Sequence, residues 1–204
     1  MRTNTDITTI RRAGFDDLAQ TASVLAAAFQ DDPVFTWCVP DATRRAAVLP
    51  TFFRVVANAI AVHDDIHVAA VTSRPVSGAI DGAAMWLPPE AAPVGDLEAP
   101  FAELFGDDAG RAFEIVGLLE EHHPMTPHHY LWFLGVAPAA QGQGIGSALL
   151  RQDRPGPAYL EATSKDNRRL YERHGFEVVD ELRVGDSPTI WAMWRPAEAA
   201  TLGG

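Results

Sequence analysis

One junction constrains this chain more than any other. An apolar run, residues 129–136, passes through Ala137-Pro138-Ala139-Ala140 into Gln141-Gly142-Gln143-Gly144-Ile145-Gly146, after which a helical pattern resumes. The run, His-Tyr-Leu-Trp-Phe-Leu-Gly-Val, reads as a strand because it is short, rich in aromatic and aliphatic residues and bounded by turn formers. Glycines at alternate positions let the backbone take positive φ and come close to a ligand. The first-turn N–H groups of the helix that follows have no internal acceptor, and the helix dipole adds to their pull on an anion. A strand, a glycine turn and a helix commit the chain to a sheet with a helical layer on it. By itself the turn says only that an anion can sit there; a plain strand-to-helix connection would look the same.

Two common phosphate loops do not fit. A P-loop needs a lysine after its last glycine, and none follows Gly146. A dinucleotide loop needs Gly-x-Gly-x-x-Gly early in a βαβ unit, whereas Gly142, Gly144 and Gly146 are spaced by two and two. The pattern that does fit is Gln-x-x-Gly-x-Gly, carried by Gln141, Gly144 and Gly146. About twenty residues on stands Asn167-Arg168-Arg169-Leu170-Tyr171-Glu172-Arg173-His174-Gly175-Phe176. Asn167 and Tyr171 are four apart, so a helix presents both on one face, able to meet one ligand. The competing reading makes Tyr171 a core aromatic beside Leu170.

The two motifs together resemble those of the GNAT N-acetyltransferases, and residues 129–176 carry the likeness most specifically. Leu25-Ala26-Ala27-Ala28-Phe29 with Asp32-Pro33, Met85-Trp86-Leu87-Pro88-Pro89, residues 118–124 and the terminal Trp191-Ala192-Met193-Trp194 resemble the puromycin N-acetyltransferase branch. The likeness implies an α+β, mixed α/β fold: a mostly antiparallel sheet of about seven strands, splayed between the fourth and fifth and flanked by helices. It implies a single domain over residues 1–196 with a loose tail at 197–204. It also implies acetyl-CoA as cosubstrate, held by Leu134, Gly135, Val136, Gln141, Gly142, Gln143, Gly144, Ile145, Gly146, Ser147, Asn167 and Tyr171. In this family backbone N–H groups of the splayed strand, here near Gly135 and Val136, face the thioester oxygen, Leu134 and Val136 pair with the pantetheine arm, and Tyr171 returns a proton to the departing thiolate. Family members carry a longer helix after the glycine loop; here residues 145–151 give two turns, roughly 10 Å.

The incoming amine needs a base. Glu161 is the candidate, at the end of the strand beside the splay and on the opposite face from Leu160 and Ala162; a structural ion pair is the competing role. His128 and His129, just ahead of the splayed strand, are second candidates. Phe35, Trp37, Trp86 and Trp132 are equally core residues or walls of an acceptor pocket. Cys38, the only cysteine, reads as a buried thiol, and the neighbouring pairs His122-His123 and His128-His129, whose side chains point apart, argue against a metal.

Elsewhere the pattern predicts a strand over 7–12, an amphipathic helix over 16–29 ended by Asp31-Asp32-Pro33, a helix over 43–62 broken or kinked at Pro50, and strands over 66–72 and 82–87. A turn falls at 73–81 and a loop at 90–100. A helical stretch over 101–121 is interrupted near 106–110. A strand over 159–163, a helix over 166–174 closed by Gly175, and a hairpin of 176–184 with 189–194 complete the order. The formal charge is −11, and Lys165 is the only lysine among sixteen basic residues. Such a surface disfavours nucleic acid and attracts a cationic amine. No signal core or membrane span is evident, so the expected setting is the cytoplasm, as monomer or homodimer. The function expected is acetylation of a small primary amine. Acetylation of a protein N-terminus or lysine, and non-catalytic acyl-CoA sensing, are the alternatives.

Overall fold

The computed structural model describes residues 8–71, 79–91, 97–152 and 154–197. Seven strands form one sheet in the order β1-β2-β3-β4-β5-β7-β6. They are β1 (Thr8–Arg12), β2 (Ile66–Val71), β3 (Gly82–Leu87), β4 (His129–Val136), β5 (Ala158–Ala162), β6 (Glu177–Leu182) and β7 (Ile190–Arg195). Every pairing is antiparallel except β4 with β5. The helices are α1 (Leu18–Ala28), α2 (Pro33–Cys38), α3 (Ala42–Ile60), α4 (Glu98–Phe105), α5 (Ala109–His122), α6 (Ile145–Leu150) and α7 (Lys165–Glu172).

Alternation along the strands divides the core in two. Val68, Ala83, Met85 and Tyr159 face one side, where α1, α3, α4 and α5 bury Leu25, Phe29, Leu49, Phe53, Phe105 and Ile115 against them. Ala69, Ala84, Trp86, Leu160 and Ala162 face the other, with Ile145 and Leu149 of α6 and Tyr171 of α7. The helix face expected over 16–29 is the one used: Leu18, Ala22, Leu25 and Phe29 are all buried.

The feature that positions the site is the β4–β5 seam. The two strands pair only from His129 to Leu131, opposite Ala158 to Leu160. Beyond that β4 stays on β3 as far as Val136, and β5 stays on β7 as far as Ala162. The sheet therefore opens between two strands each anchored on its far side.

Two expectations are corrected and one is extended. Pro50 does not break α3, which runs as one helix of nineteen residues with Pro50 on its exposed side. Asp31-Asp32-Pro33 follows the end of α1 as expected and also begins another helix: Asp32 caps α2 and Pro33 takes its first position, where a missing N–H costs nothing. The stretch 90–100 is not all loop, since α4 begins at Glu98. The turn expected at 73–81 and the tail at 197–204 lie mostly outside the described residues. By length and composition α3 could cross a membrane, but its apolar stripe, Val48, Leu49, Phe52, Phe53, Val56 and Ile60, is spent on the core.

The clipped α6 still packs: Ile145, Leu149 and Leu150 are buried. The chain behind it is pinned by Arg154. Its guanidinium lies 4.4 Å from the Trp86 ring centre and hydrogen-bonds Asp65 at 2.5 Å and His67 Nδ1 at 3.0 Å. A buried arginine clamp thus holds the short connection where a longer helix would have packed.

Candidate active site

The glycine loop leaves β4 through a short turn over Pro138–Ala140. Gly142 has φ +74° and Gly144 φ +79°, values that L side chains rarely adopt, and nothing lies within 4 Å of a Cβ built on either. Gly144 is the N-cap of α6, and the first helical bond there runs from the Ala148 N–H to its carbonyl at 2.9 Å. The N–H groups of Ile145, Gly146 and Ser147 find no acceptor among the described residues. They line an open groove of about 680 Å³ together with Leu134, Gly135, Val136, Gln141 and Asn167. These donors suit a phosphate-like anion.

The expected loop residues contribute unequally. Gln141 turns inward, its Nε2 donating to the Val136 carbonyl at 3.2 Å, and Gln143 Nε2 reaches the Ala139 carbonyl at 3.4 Å. Both side chains brace the loop. The Ile145 side chain is buried under β3, so only its peptide N–H is offered. Ser147 Oγ is engaged with His174 Nε2 at 3.0 Å.

The ladder phase decides which β4 groups face the opening. The Ala137 N–H donates to the Asp81 carbonyl at 2.8 Å. Alternation then turns Gly135 toward Ala83 on β3, and turns the N–H and C=O of Leu134 and Val136 into the splay. The donors expected near Gly135 and Val136 become those of Val136, on the groove, and Leu134, one step deeper at the mouth of an enclosed cavity. Gly135 lacks a side chain for another reason: a Cβ there would stand 2.8 Å from Leu25 Cδ2 and 2.9 Å from Ala28 Cβ. It lets α1 seat on β4.

Where the sheet opens, a second and more enclosed cavity of about 160 Å³ begins. It shares Phe29, Asp32, Leu134 and Asn167 with the groove. Tyr171 reaches it from the α7 side of the sheet and Glu161 from the α1–α5 side. Asn167 and Tyr171 lie on one face of α7, whose start is capped by Ser164 Oγ accepting the Asn167 N–H at 3.2 Å. The Tyr171 hydroxyl has no hydrogen-bond partner among the described residues. Burial first, and then the Asp32 carboxylate, raise its pKa above the ordinary phenol value.

Glu161 accepts the Tyr130 hydroxyl at 2.8 Å on Oε2. Its Oε1 and the neighbouring Tyr159 hydroxyl are buried with no bond closed between them. Burial pushes the Glu161 carboxyl up to about 7, against the smaller opposing pull of the Tyr130 and Tyr159 hydroxyls. A carboxyl poised there, open to solvent only through the cavity, has the acidity of a general base at neutral pH. The competing ion-pair role is not seen: no arginine, lysine or histidine among the described residues bridges to it. The second candidates lie elsewhere. His128 is buried with Nδ1 on the Thr126 carbonyl at 2.6 Å, His129 Nε2 meets the Pro155 carbonyl at 3.1 Å, and neither lines the cavity.

Sequence reasoning missed Asp32. Its Oδ1 accepts the N–H groups of Val34 and Phe35 at 2.9 and 3.2 Å, and its Oδ2 accepts the Thr163 hydroxyl. Burial raises its pKa, opposed by those three bonds. The signal is present as Asp-Pro, an N-cap followed by a first-turn proline, but the same pair also marks the end of the preceding helix. Of the four aromatic candidates, Phe35 and Trp132 line the cavity. Trp86 is buried on the opposite sheet face, and Trp37 donates to Asp186 at 2.9 Å. Cys38 lines the cavity with its thiol pushed up to about 12, chiefly by burial, so it is no nucleophile.

Comparison with known proteins agrees with this geometry. The family model for the acetyltransferase (GNAT) domain matches residues 105–178. An acetyltransferase structure from Corynebacterium glutamicum, described as histone acetyltransferase HPA2 and related acetyltransferase, is 30% identical, with TM-score 0.72, covering 96% of this chain and 99% of that one. A mosquito arylalkylamine N-acetyltransferase, like 5b, shares the fold at 15% identity and TM-score 0.56, covering 93% of this chain and 100% of its own. So does the polyamine N-acetyltransferase of Drosophila melanogaster, at 15% and 0.54 over 93% and 100%. The chain belongs to the GNAT acetyltransferase family, whose members are N-acetyltransferase enzymes.

Proposed function

We propose that the protein transfers an acetyl group from acetyl-CoA to a primary amine of a small molecule by direct attack, as a single domain over residues 1–196 in the puromycin N-acetyltransferase-like branch. The observation that carries this reading is the junction of groove and cavity at Phe29, Asp32, Leu134 and Asn167, with Tyr171 and Glu161 on opposite sides of it. The open donors at Ile145, Gly146 and Ser147 and the free edge of Leu134 and Val136 fit a long ligand with a pyrophosphate at one end and an amide arm at the other.

Bound there, acetyl-CoA supplies the thioester carbon that the amine attacks. The Leu134 N–H, which faces the splay where groove and cavity meet, then donates to the acyl oxygen as negative charge gathers on it, and because β3 holds the strand it needs no reorganisation. Glu161, about half ionised at neutral pH and more fully above it, takes the proton of the incoming ammonium in its ionised form, directly or through one water. The amine nitrogen bonds to the acyl carbon, the carbon–sulfur bond breaks, and the Tyr171 hydroxyl gives its proton to the sulfur; the second proton on nitrogen leaves as the amide forms and restores the Tyr171 phenol, directly or through one water. A phenol is a weak acid for a thiol of pKa about 8.5 in water. The same burial that raises the Tyr171 pKa raises that of a thiol formed beside it, so the two move in the same direction.

The enclosed cavity favours a small acceptor over a protein N-terminus or lysine, which would need an open groove. The presence of both Glu161 and Tyr171 on the one cavity favours catalysis over sensing. The acidic surface, −11 overall, suits a cationic substrate and disfavours nucleic acid. A cytoplasmic setting is part of the same reading. The test is calorimetric titration with acetyl-CoA, paired with thiol release on a panel of primary amines. Wild-type protein binds and turns over; Gly144→Val, which forces a side chain into φ +79° and into the groove, loses binding at least ten-fold. Normal affinity in that variant contradicts the pyrophosphate assignment.

A further inference from the structure

The two ends of the acceptor cavity differ in chemistry. Its carboxylates, Asp32 and Glu161, line one end: Thr163, two residues beyond Glu161 on the same face of the chain, donates to Asp32. Around them are the hydroxyls of Tyr130 and Tyr171. The wall supplied by α3, α4 and α5 is Phe52, Phe101, Phe105, Phe113, Val116 and Leu119, with no polar side chain among them. Phe52 packs on Phe101 and Phe105 at ring separations of 5.0 and 5.7 Å. The acidic residues of these helices point away: Asp108 pairs with Arg44 at 2.7 Å, and Glu103, Glu114 and Glu120 are exposed.

We propose that the acceptor is a monoamine with an apolar body about the size of one aromatic ring, and that amines carrying a second cation are rejected. This rests on the reading of the cavity as the acceptor site. The ammonium has one place to go, beside Glu161 and Asp32, where it can lose its proton. Whatever it is attached to must then lie against the phenylalanine wall. A ring fits there: the cavity of about 160 Å³ matches the roughly 150 Å³ apolar cavity known to take one benzene. A distal ammonium or guanidinium would be stripped of water with no counter-charge to meet it. The faces of phenylalanine, the weakest of the aromatic partners for a cation, return only part of that loss. Asp32 cannot serve as the second anchor, since its bond from Thr163, two residues from Glu161, holds it at the amine end of the cavity.

The experiment compares 2-phenylethylamine with 1,4-diaminobutane and agmatine at saturating acetyl-CoA, by thiol release. The expected kcat/KM favours phenylethylamine at least 100-fold. A second arm plants a carboxylate in the apolar wall at Val116, which is 39% exposed and not demanded by the core. Val116→Asp should narrow the preference at least ten-fold by raising the diamine rate, with acetyl-CoA affinity unchanged; Ala112→Asp is the alternative should that variant fold poorly. Equal or reversed preference in wild type overturns the proposal while leaving acetyl transfer standing, and so does a Val116→Asp protein with the wild-type ratio. Acetyl-CoA binding without turnover of any amine overturns the proposal together with the transferase reading.

Discussion

Replacing Glu161 by glutamine should make the protein more stable at pH 8 and nearly inactive. The carboxyl is pushed up to about 7 by burial, against an ordinary 4.5. A buried acid whose pKa is raised on folding binds its proton more tightly in the folded state. Stability therefore falls as pH rises from about 4.5 to about 7 and is level above that. At 1.36 kcal/mol per pK unit the ionised carboxylate costs on the order of 3 kcal/mol; contact with solvent through the cavity reduces this to roughly 1–2 kcal/mol. Glutamine keeps the shape. Its oxygen can accept the Tyr130 hydroxyl as Oε2 does, and its amide can donate to the Tyr159 oxygen, which now lacks a partner. The variant should melt about 2–8 °C above wild type at pH 8, with the difference shrinking toward pH 5. The kcat/KM should fall roughly 10²–10⁴-fold, and the rising limb near pH 7 should disappear. Scanning calorimetry and thiol release across pH 5–9 read both. A variant less stable than wild type at pH 8 would refute the electrostatic reasoning, and one within three-fold of wild-type activity with the limb intact would remove Glu161 as the base.

Tyr171→Phe should cut kcat ten-fold or more while acetyl-CoA affinity stays within about three-fold, because the hydroxyl donates to no group among the described residues; unchanged turnover in steady-state assays would take Tyr171 out of the mechanism. Gly135→Ala should destabilise by about 1–3 kcal/mol through the clash with Leu25 and Ala28. Chemical denaturation reads that loss, and a neutral result would mean α1 is free to shift on β4.

Much of this site is visible along the chain because it is built from local spacing. Strand, glycine turn and helix are contiguous from His129 to Leu150 and need no tertiary information. The four-residue interval from Asn167 to Tyr171 fixes a shared face on any helix. The alternation Leu160-Glu161-Ala162 put the carboxylate on the cavity side of the sheet. What the sequence hid depends on distant partners. Asp32 joins the site because Thr163, 131 residues away, meets it there. Gly135 looks like a ligand glycine and is a helix-packing glycine, a distinction that depends on where α1 lies. Pro50 is tolerated within α3 because the tertiary packing of Phe52, Phe53 and Val56 outweighs a weakened turn on the solvent side. The phase of the β3–β4 ladder, which selects the N–H groups of Leu134 and Val136 over that of Gly135, is set by a single bond from Ala137 to Asp81.

The most direct test of the central claim is a crystal structure of the protein with acetyl-CoA. The pyrophosphate should lie within hydrogen-bonding reach of the N–H groups of Ile145, Gly146 and Ser147. The amide arm should pair with Leu134 and Val136, and the sulfur should sit next to the Tyr171 hydroxyl with Glu161 across the junction. A coenzyme bound outside this groove, or one whose thioester points away from Tyr171 and Glu161, would contradict the account.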